Sequence, residues 1–125
     1  MVKGIIATII AFLIFLGVGI YEQHFITNEF KTFEEILTPL YEKIEDESAN
    51  EQDGLSVQKW WLHSKKTLHI VIPHNDIKDI DYYLAETISY ISTKDYNLAK
   101  SKTEVLLELC EHIPGTYKVS IENIF

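Results

Sequence analysis

The chain has 125 residues, of which 46% are hydrophobic and 24% charged, and it contains no arginine. Residues 22–125 contain ten lysines and nineteen aspartates and glutamates, so their formal charge is −9. This balance argues against nucleic-acid binding, because phosphate contacts need clustered positive charge. The length suits one small domain. The single cysteine, Cys110, excludes an internal disulfide and every metal site built from several cysteines.

The N-terminal segment predicts a membrane anchor. Residues 4–21 form a stretch of eighteen without a charged side chain. As a helix this stretch would be about 27 Å long, close to the roughly 30 Å hydrocarbon core of a bilayer. A cleaved signal peptide is the alternative, but its small-x-small cleavage site has only a weak candidate at Gly17 and Gly19. We therefore expect a retained signal-anchor over residues 1–21, followed by an acidic helical domain over residues 22–125.

The charges on either side of this span predict its orientation. Lys3 and the amino terminus precede it. In the segment that follows, four glutamates outnumber one lysine: Glu22, Glu29, Glu34, Glu35 and Lys31. By the positive-inside rule, we expect a single-pass protein of the cell membrane with a cytoplasmic N-terminus and an extracytoplasmic C-terminal domain.

Helical periodicity begins soon after the span. Apolar residues recur at spacings of three and four, at Phe30, Phe33, Leu37, Leu40 and Ile44. No turn signal separates Tyr21 from Phe30, so the membrane helix is expected to continue into this segment. Pro39 lacks the amide that would bond to the carbonyl of Glu35, which predicts a kink or a break near Thr38.

Residues 42–54 are the most acidic stretch and predict a solvated linker, because their carboxylates lack the spacing of a calcium loop. Ser48 and Glu51 have capping-box spacing and predict that a second helix starts there. Adjacent helical residues point about 100° apart, so we expect Trp61 in the core and Trp60 at an edge or an interface. The residues predicted to face inward are Leu55, Trp61, Leu62, Leu68 and Ile72.

Pro73 separates the second helix from a third. The apolar run 68–72 before it is compatible with either a strand or a helix. Asn75 or Asp76 is expected to cap the third helix. The buried face of this helix is predicted to comprise Ile77, Ile80, Leu84, Ile88 and Ile91. A short connection over residues 92–95 follows.

A fourth helix is predicted from about Tyr96 to His112, ended by Pro114 and Gly115. Its apolar stripe comprises Ala99, Leu106, Cys110 and Ile113, widened by Leu98, Val105 and Leu109. The last two helices partly match a tetratricopeptide repeat, but one hairpin lacks the stacked neighbours that such repeats need. The predicted fold is all-α: an N-terminal transmembrane helix, then a small helical bundle with a C-terminal TPR-like helix hairpin.

Candidate chemistry is sparse. His69 and His74 bracket Pro73, with Asp76 and Asp79 close behind, but they lack the paired spacing and the third ligand of a zinc site. There is no Gly-x-Ser-x-Gly elbow and no glycine-rich phosphate loop. A cysteine on an apolar helical stripe behaves as a small buried hydrophobe. We expect no catalytic, cofactor-binding or metal-binding residues, no cofactor, and a protein that is not an enzyme.

Several short motifs together resemble a known family. They are Trp60-Trp61, residues 69–77 with Asp81, Tyr90-Ile91, Asp95-Tyr96, Ala99, residues 112–114 and residues 122–125. With the N-terminal anchor, the chain resembles small membrane-anchored proteins of spore-forming Gram-positive bacteria, the domain of unknown function DUF4363. The resemblance implies a bacterial single-pass protein with a helical domain, and it implies no reaction or site residue.

The sequence therefore predicts a membrane-anchored, non-enzymatic interaction or accessory module for another membrane or envelope protein. Its surplus apolar residues are the candidate partner-docking residues: Trp60, Tyr82, Tyr83, Ile124 and Phe125. Expected partners are the lipid bilayer and either a second protein or a second copy of the chain in the membrane, with no nucleic acid. The alternatives are an extracytoplasmic sensor or binding domain for a small molecule or metal and, more remotely, an envelope hydrolase.

Overall fold

The structure is a computed structural model that describes the backbone of residues 1–124 and the side chains of residues 1–116. Over these residues the chain forms four helices and no strand: α1 (Val2–Glu45), α2 (Glu51–Val71), α3 (His74–Ser92) and α4 (Tyr96–Ile124). Each helix packs against the next, and α4 returns against α1, with α1 and α2 touching least. The predicted all-α bundle is confirmed.

Helix α1 joins the apolar N-terminal segment to the bundle without interruption, as expected from the absence of a turn signal. Of the kink or break predicted near Thr38, the break is wrong, because α1 passes through Pro39 and ends at Glu45. Buried Leu37 and Leu40 flank the proline, and their packing outweighs the missing amide bond. The buried face comprises Ile26, Phe30, Phe33, Leu37, Leu40 and Ile44.

Helix α2 begins two residues later than a Ser48 cap would place it. Asn50 is the N-cap, and its side chain and that of Asp53 exchange hydrogen bonds with each other's backbone amides at 3.0 Å. The predicted linker over residues 42–54 shrinks to residues 46–50, since both its ends are helical. Glu47 makes the turn with a φ of 57°.

The core of α2 matches the prediction in part. Trp61 and Leu68 are buried, and Ile72 is buried just beyond the helix. Leu62 was expected inside and is 44% exposed. Three further buried residues of α2 were not among those predicted to face inward: Gly54, Val57 and Ser64. The run 68–71 is helical, which settles the strand alternative.

The predicted buried face of α3 is confirmed in full, but its predicted cap is wrong. The helix starts at His74 with Pro73 in the N-cap position, so Asn75 and Asp76 lie within its first turn. Proline suits a helix start because its fixed φ, here −60°, is close to helical.

The predicted stripe of α4 is also buried: Ala99, Leu106, Cys110 and Ile113. Of the residues expected to widen it, Leu98 is exposed. Pro114 does not end the helix, which continues to Ile124. The carbonyl of Pro114 accepts a hydrogen bond of 3.1 Å from the side chain of Gln23, which ties this turn of α4 to α1.

Candidate functional site

Trp60 lies where it was predicted, at the edge of the core. Its ring stacks on that of Phe33 with centroids 5.3 Å apart and planes 13° from parallel. Trp61 approaches the same phenylalanine at 5.3 Å and is fully buried. One face of Trp60 is therefore covered by α1, and the side chain is only half-buried.

Trp60 also lines a groove between α1 and α2, which we name the Trp60 groove. It encloses about 330 Å³ and has apolar walls formed by Ile36, Pro39, Leu40, Val57 and Trp60. At one end Lys43 and Asp53 form an ion pair of 3.0 Å. The backbone amide of Asn50, and secondly Lys43, lower the pKa of Asp53, so this end of the groove carries a paired charge.

The tyrosine pair lies elsewhere, on α3. Tyr82 is 64% exposed and meets Tyr83 edge to face, with centroids 5.9 Å apart. Tyr83 is half-buried because Lys102 of α4 lies over its ring at 5.5 Å, while the same lysine pairs with Glu86 at 3.4 Å. Tyr82 therefore offers free surface, whereas Tyr83 contributes to the α3–α4 contact.

The predicted docking residues thus do not form one patch. Trp60 belongs to the α1–α2 groove, and the tyrosines belong to the α3–α4 side of the bundle. Phe125 and the side chain of Ile124 lie outside the described residues. The described candidate docking residues therefore lie on two separate faces of the bundle, one with Trp60 and one with the tyrosines.

The histidine pair is close but has no further ligand. Nδ1 of His74 and Nε2 of His69 are 3.4 Å apart, and both rings are exposed. In the described part of the chain, no group of three or more His, Cys, Asp or Glu side chains is placed to hold a metal. Burial raises the pKa of the Cys110 thiol well above its usual range, so this cysteine is an apolar core residue, as predicted.

Polar contacts between helices were not predicted. The indole N–H of Trp61 donates to Asp81 at 2.6 Å, and Lys65 donates to the same carboxylate at 3.0 Å. The hydroxyl of Ser64 donates to Glu29 of α1. In the sequence these polar residues lie beside apolar helical faces. That position suggests a contact at a helix interface but does not identify the partner residue.

Tyr41 and Glu104 link α1 to α4. The phenol donates to the carboxylate at 2.9 Å. This hydrogen bond, with smaller contributions from burial and from Glu45, raises the pKa of Tyr41 to about 12. Lys100 lies 5.8 Å from the centre of the tyrosine ring.

A second groove lies at the end of the bundle nearest the apolar segment, and we name it the basal groove. It encloses about 210 Å³. Its α1 wall comprises Val18, Tyr21, Glu22 and Phe25, and its α2 wall comprises Thr67, Ile70 and Val71. Ile70 is 83% exposed, the highest fraction of any large apolar side chain that the structure describes in residues 22–116. The sequence did not indicate this groove, because within the run 68–72 only Leu68 and Ile72 were assigned a position, in the core.

The apolar start of α1 differs from the rest of the described chain in being apolar and exposed. In the described residues α1 is the one helix long and apolar enough to cross a membrane, and none of its apolar stretch is buried. Burial within α1 starts at Ile26. The helix therefore has an exposed apolar half and a half that packs in the bundle.

A known family matches most of the chain. The model of the family described as domain of unknown function (DUF4363) matches residues 20–124. The chain belongs to this family. A search of curated proteins and a search of solved structures each found no match. The region shared with DUF4363 begins at the end of the apolar segment and includes all four helices of the bundle, so the exposed apolar half of α1 lies almost entirely outside it.

Proposed function

We propose that this DUF4363 chain is a single-pass membrane protein whose bundle is a non-enzymatic interaction or accessory module for another membrane or envelope protein. The observation that carries the proposal is the division of α1 into an exposed apolar half and a buried half. An exposed surface of isoleucine, leucine and phenylalanine of this length is stable in a bilayer and not in water.

The orientation follows from the flanking charges. Lys3 precedes the span and Glu22 follows it, which favours a cytoplasmic N-terminus and an extracytoplasmic bundle. The motifs shared with the family favour an origin in spore-forming Gram-positive bacteria. Retention of the span as a signal-anchor agrees with the continuity of α1 from Val2 into the core, since cleavage would cut a continuous helix.

Two surfaces favour the interaction role. The Trp60 groove is apolar with one ion pair at its end, and Tyr82 is a large aromatic side chain exposed on α3. Aromatic side chains with one free face are frequent anchors of protein interfaces. The expected partner is a second membrane or envelope protein, or a second copy of the chain.

Site-specific photocrosslinking of the full chain in its native membrane tests this proposal. A photoreactive amino acid replaces Trp60 or Tyr82, and a matched control replaces Lys59, which is exposed on α2. We expect one protein to be crosslinked from Trp60 or Tyr82 and not from Lys59. Crosslinking that is equal at all three positions, or absent at all three, would contradict a docking role for these faces.

The second candidate is an extracytoplasmic sensor or binding domain for a small molecule or metal. The volume of the Trp60 groove, about 330 Å³, favours it, because ligand pockets start near about 300 Å³. Ligand binding raises the melting temperature by linkage. A metabolite and metal screen in which one compound raises the melting temperature of the wild type, but not of a Val57→Trp variant with a filled groove, would support this candidate.

A further inference from the structure

We infer that the base of the bundle, meaning the end of α2 and the turn after it, rests in the interfacial layer of the bilayer that α1 crosses, with lipid filling the basal groove. The inference depends on the proposed anchor. It adds a second membrane contact, made by residues far from the anchor in sequence.

The continuity of α1 sets the level of the membrane surface. Because no break separates the apolar half of α1 from its buried half, position along this helix measures depth. Val18 and Tyr21 belong to the last turn of the apolar segment, and they share the basal groove with Ile70 and Val71. Two walls of one groove lie at one level, so the end of α2 lies beside the last turn of the membrane span.

The exposed side chains at that level suit lipid. Ile70 is 83% exposed, and it extends the apolar surface of α1 sideways onto α2. Tyr21 is exposed beside it and has the amphipathic ring that favours the membrane interface. In water these groups would form an apolar patch continuous with the anchor, and in the bilayer the patch is covered.

The distribution of charge also favours this placement of the end of α2. Residues 54–75, which comprise most of α2 and the turn after it, hold three lysines and no carboxylate, although nineteen carboxylates occur in the chain. Lys65 is paired with Asp81, while Lys66 is exposed one turn before Ile70. The α2 wall of the basal groove therefore brings no carboxylate toward anionic headgroups, and Glu22 on the α1 wall is the carboxylate that lines the groove.

Helix α4 reaches the same level on another side of α1. The hydrogen bond from Gln23 to the carbonyl of Pro114 places this turn of α4 two residues beyond Tyr21 along α1. The bundle is therefore held to α1 from two sides at the level of the membrane surface.

Lipid quenching of a fluorescent label tests the inference on the full chain. Single cysteines replace Ile70, Leu98 and Ile9 in three variants, each carrying an environment-sensitive fluorophore. Cys110 is buried and stays unlabelled in the folded protein. The matched control is Leu98, an exposed leucine at the opposite end of the bundle, and Ile9 reports on the anchor itself. The proteins are reconstituted into vesicles of phosphatidylcholine and phosphatidylglycerol, with or without lipids that carry a nitroxide near the headgroup.

We expect loss of emission for labels at residues 9 and 70 in nitroxide vesicles, and unchanged emission for the label at residue 98. Quenching at residue 9 with none at residue 70 would overturn the inference and leave the anchor intact. No quenching at residue 9 would overturn the anchor as well. Equal quenching at residues 70 and 98 would contradict the orientation of the bundle, and a blue-shifted but unquenched label at residue 70 would indicate protein rather than lipid in the groove.

Discussion

At the residue scale, a limited set of polar contacts supplements the apolar core that joins the helices. Asp81 is the clearest case, because it accepts hydrogen bonds from the buried indole of Trp61 and from Lys65. Leaving a buried indole N–H without an acceptor lowers the free energy of unfolding by more than a surface ion pair adds to it. Loss of the hydrogen bond to Trp61 should therefore lower the free energy of unfolding more than loss of the bond to Lys65.

Asp81→Ala should lower the free energy of unfolding by about 1–3 kcal/mol, because it leaves the N–H of Trp61 without a partner. Lys65→Met should cost no more than about 1 kcal/mol, since it removes only a partly exposed ion pair. Denaturant unfolding of the detergent-solubilised protein, followed by tryptophan fluorescence, measures both values. Equal losses would show that the ion pair, not the indole bond, dominates.

Tyr41 gives a prediction about pH. Its pKa in the folded protein is raised from 10.0 to about 12, chiefly by its hydrogen bond to Glu104. A raised folded pKa means that the contact contributes its full stability below pH 10 and loses it as the pH rises through about 12. In an alkaline absorbance titration, Tyr41→Phe should remove a phenol that ionises near pH 12.

The control for this titration is Glu104→Gln, which keeps Tyr41 but removes the carboxylate that holds its proton. In that variant the late-ionising phenol should move back toward 10. If Tyr41→Phe instead removes a phenol that ionises in the ordinary range, then the bond to Glu104 does not persist in solution.

At the element scale, the start of α2 separates two candidate caps. Ser48 and Glu51 have capping-box spacing in the sequence, whereas the structure uses Asn50 and Asp53. Both pairs satisfy the same spacing rule, and the turn at Glu47 decides between them because it places Asn50 in the extended conformation of a cap. A spacing rule alone cannot choose between registers two residues apart.

Asn50→Ala should therefore lower the free energy of unfolding by about 0.5–2 kcal/mol, as the loss of a helix cap does. Ser48→Ala should change it little, because its hydroxyl makes only an exposed bond of 3.3 Å to the carbonyl of Lys43. Thermal unfolding monitored by circular dichroism compares the two. The reverse order would restore the register predicted from Ser48.

Two glycines in helices provide a second test at this scale. A Cβ at Gly54 would lie 2.8 Å from Cγ1 of Ile88, whereas one at Gly115 would meet nothing within 4 Å. Gly54→Ala should destabilise by about 1–2 kcal/mol, because overpacking between α2 and α3 exceeds the gain in helix propensity. Gly115→Ala should stabilise by about 0.5–1 kcal/mol. Unfolding in denaturant checks both signs, and a stabilising Gly54→Ala would show that α2 and α3 can move apart.

Periodicity explains which parts of the fold were predictable. The buried faces of α1 and α3 follow isoleucine, leucine and phenylalanine at helical spacing, and the same spacing in α4 also includes Ala99 and Cys110. In α2 the pattern misled, because Leu62 is exposed while the small residues Gly54 and Ser64 are buried where helices approach closely. Pro39 and Pro114 were expected to interrupt helices that tertiary packing keeps intact.

The candidate site was less predictable than the fold. The half-buried position of Trp60 followed from the 100° angle between adjacent helical residues. The Trp60 groove did not, since it depends on how far α1 and α2 separate at Pro39. The basal groove depends on which turn of α2 meets Val18 and Tyr21, and a sequence contains no direct signal for that register between helices.

At the scale of the whole molecule, if α1 crosses the bilayer as proposed, its continuity should keep the base of the bundle at the bilayer. A flexible glycine-serine linker inserted between Tyr21 and Glu22 should free the bundle from the anchor. In nitroxide vesicles, a label at residue 70 should then regain its emission while a label at residue 9 stays quenched. A helical insertion of equal length is the control. Quenching that persists at residue 70 with the flexible linker would mean that the base of the bundle binds lipid by itself.

The unbroken α1 has a further consequence for a chain anchored as proposed. Pro39 lies eighteen residues beyond Tyr21, so the Trp60 groove stands about 27 Å above the membrane surface. Because α1 is continuous between the span and the groove, rotation of the span about its axis turns the groove by the same angle. A protein that binds the span inside the membrane would therefore also determine the direction in which the Trp60 groove faces outside the membrane.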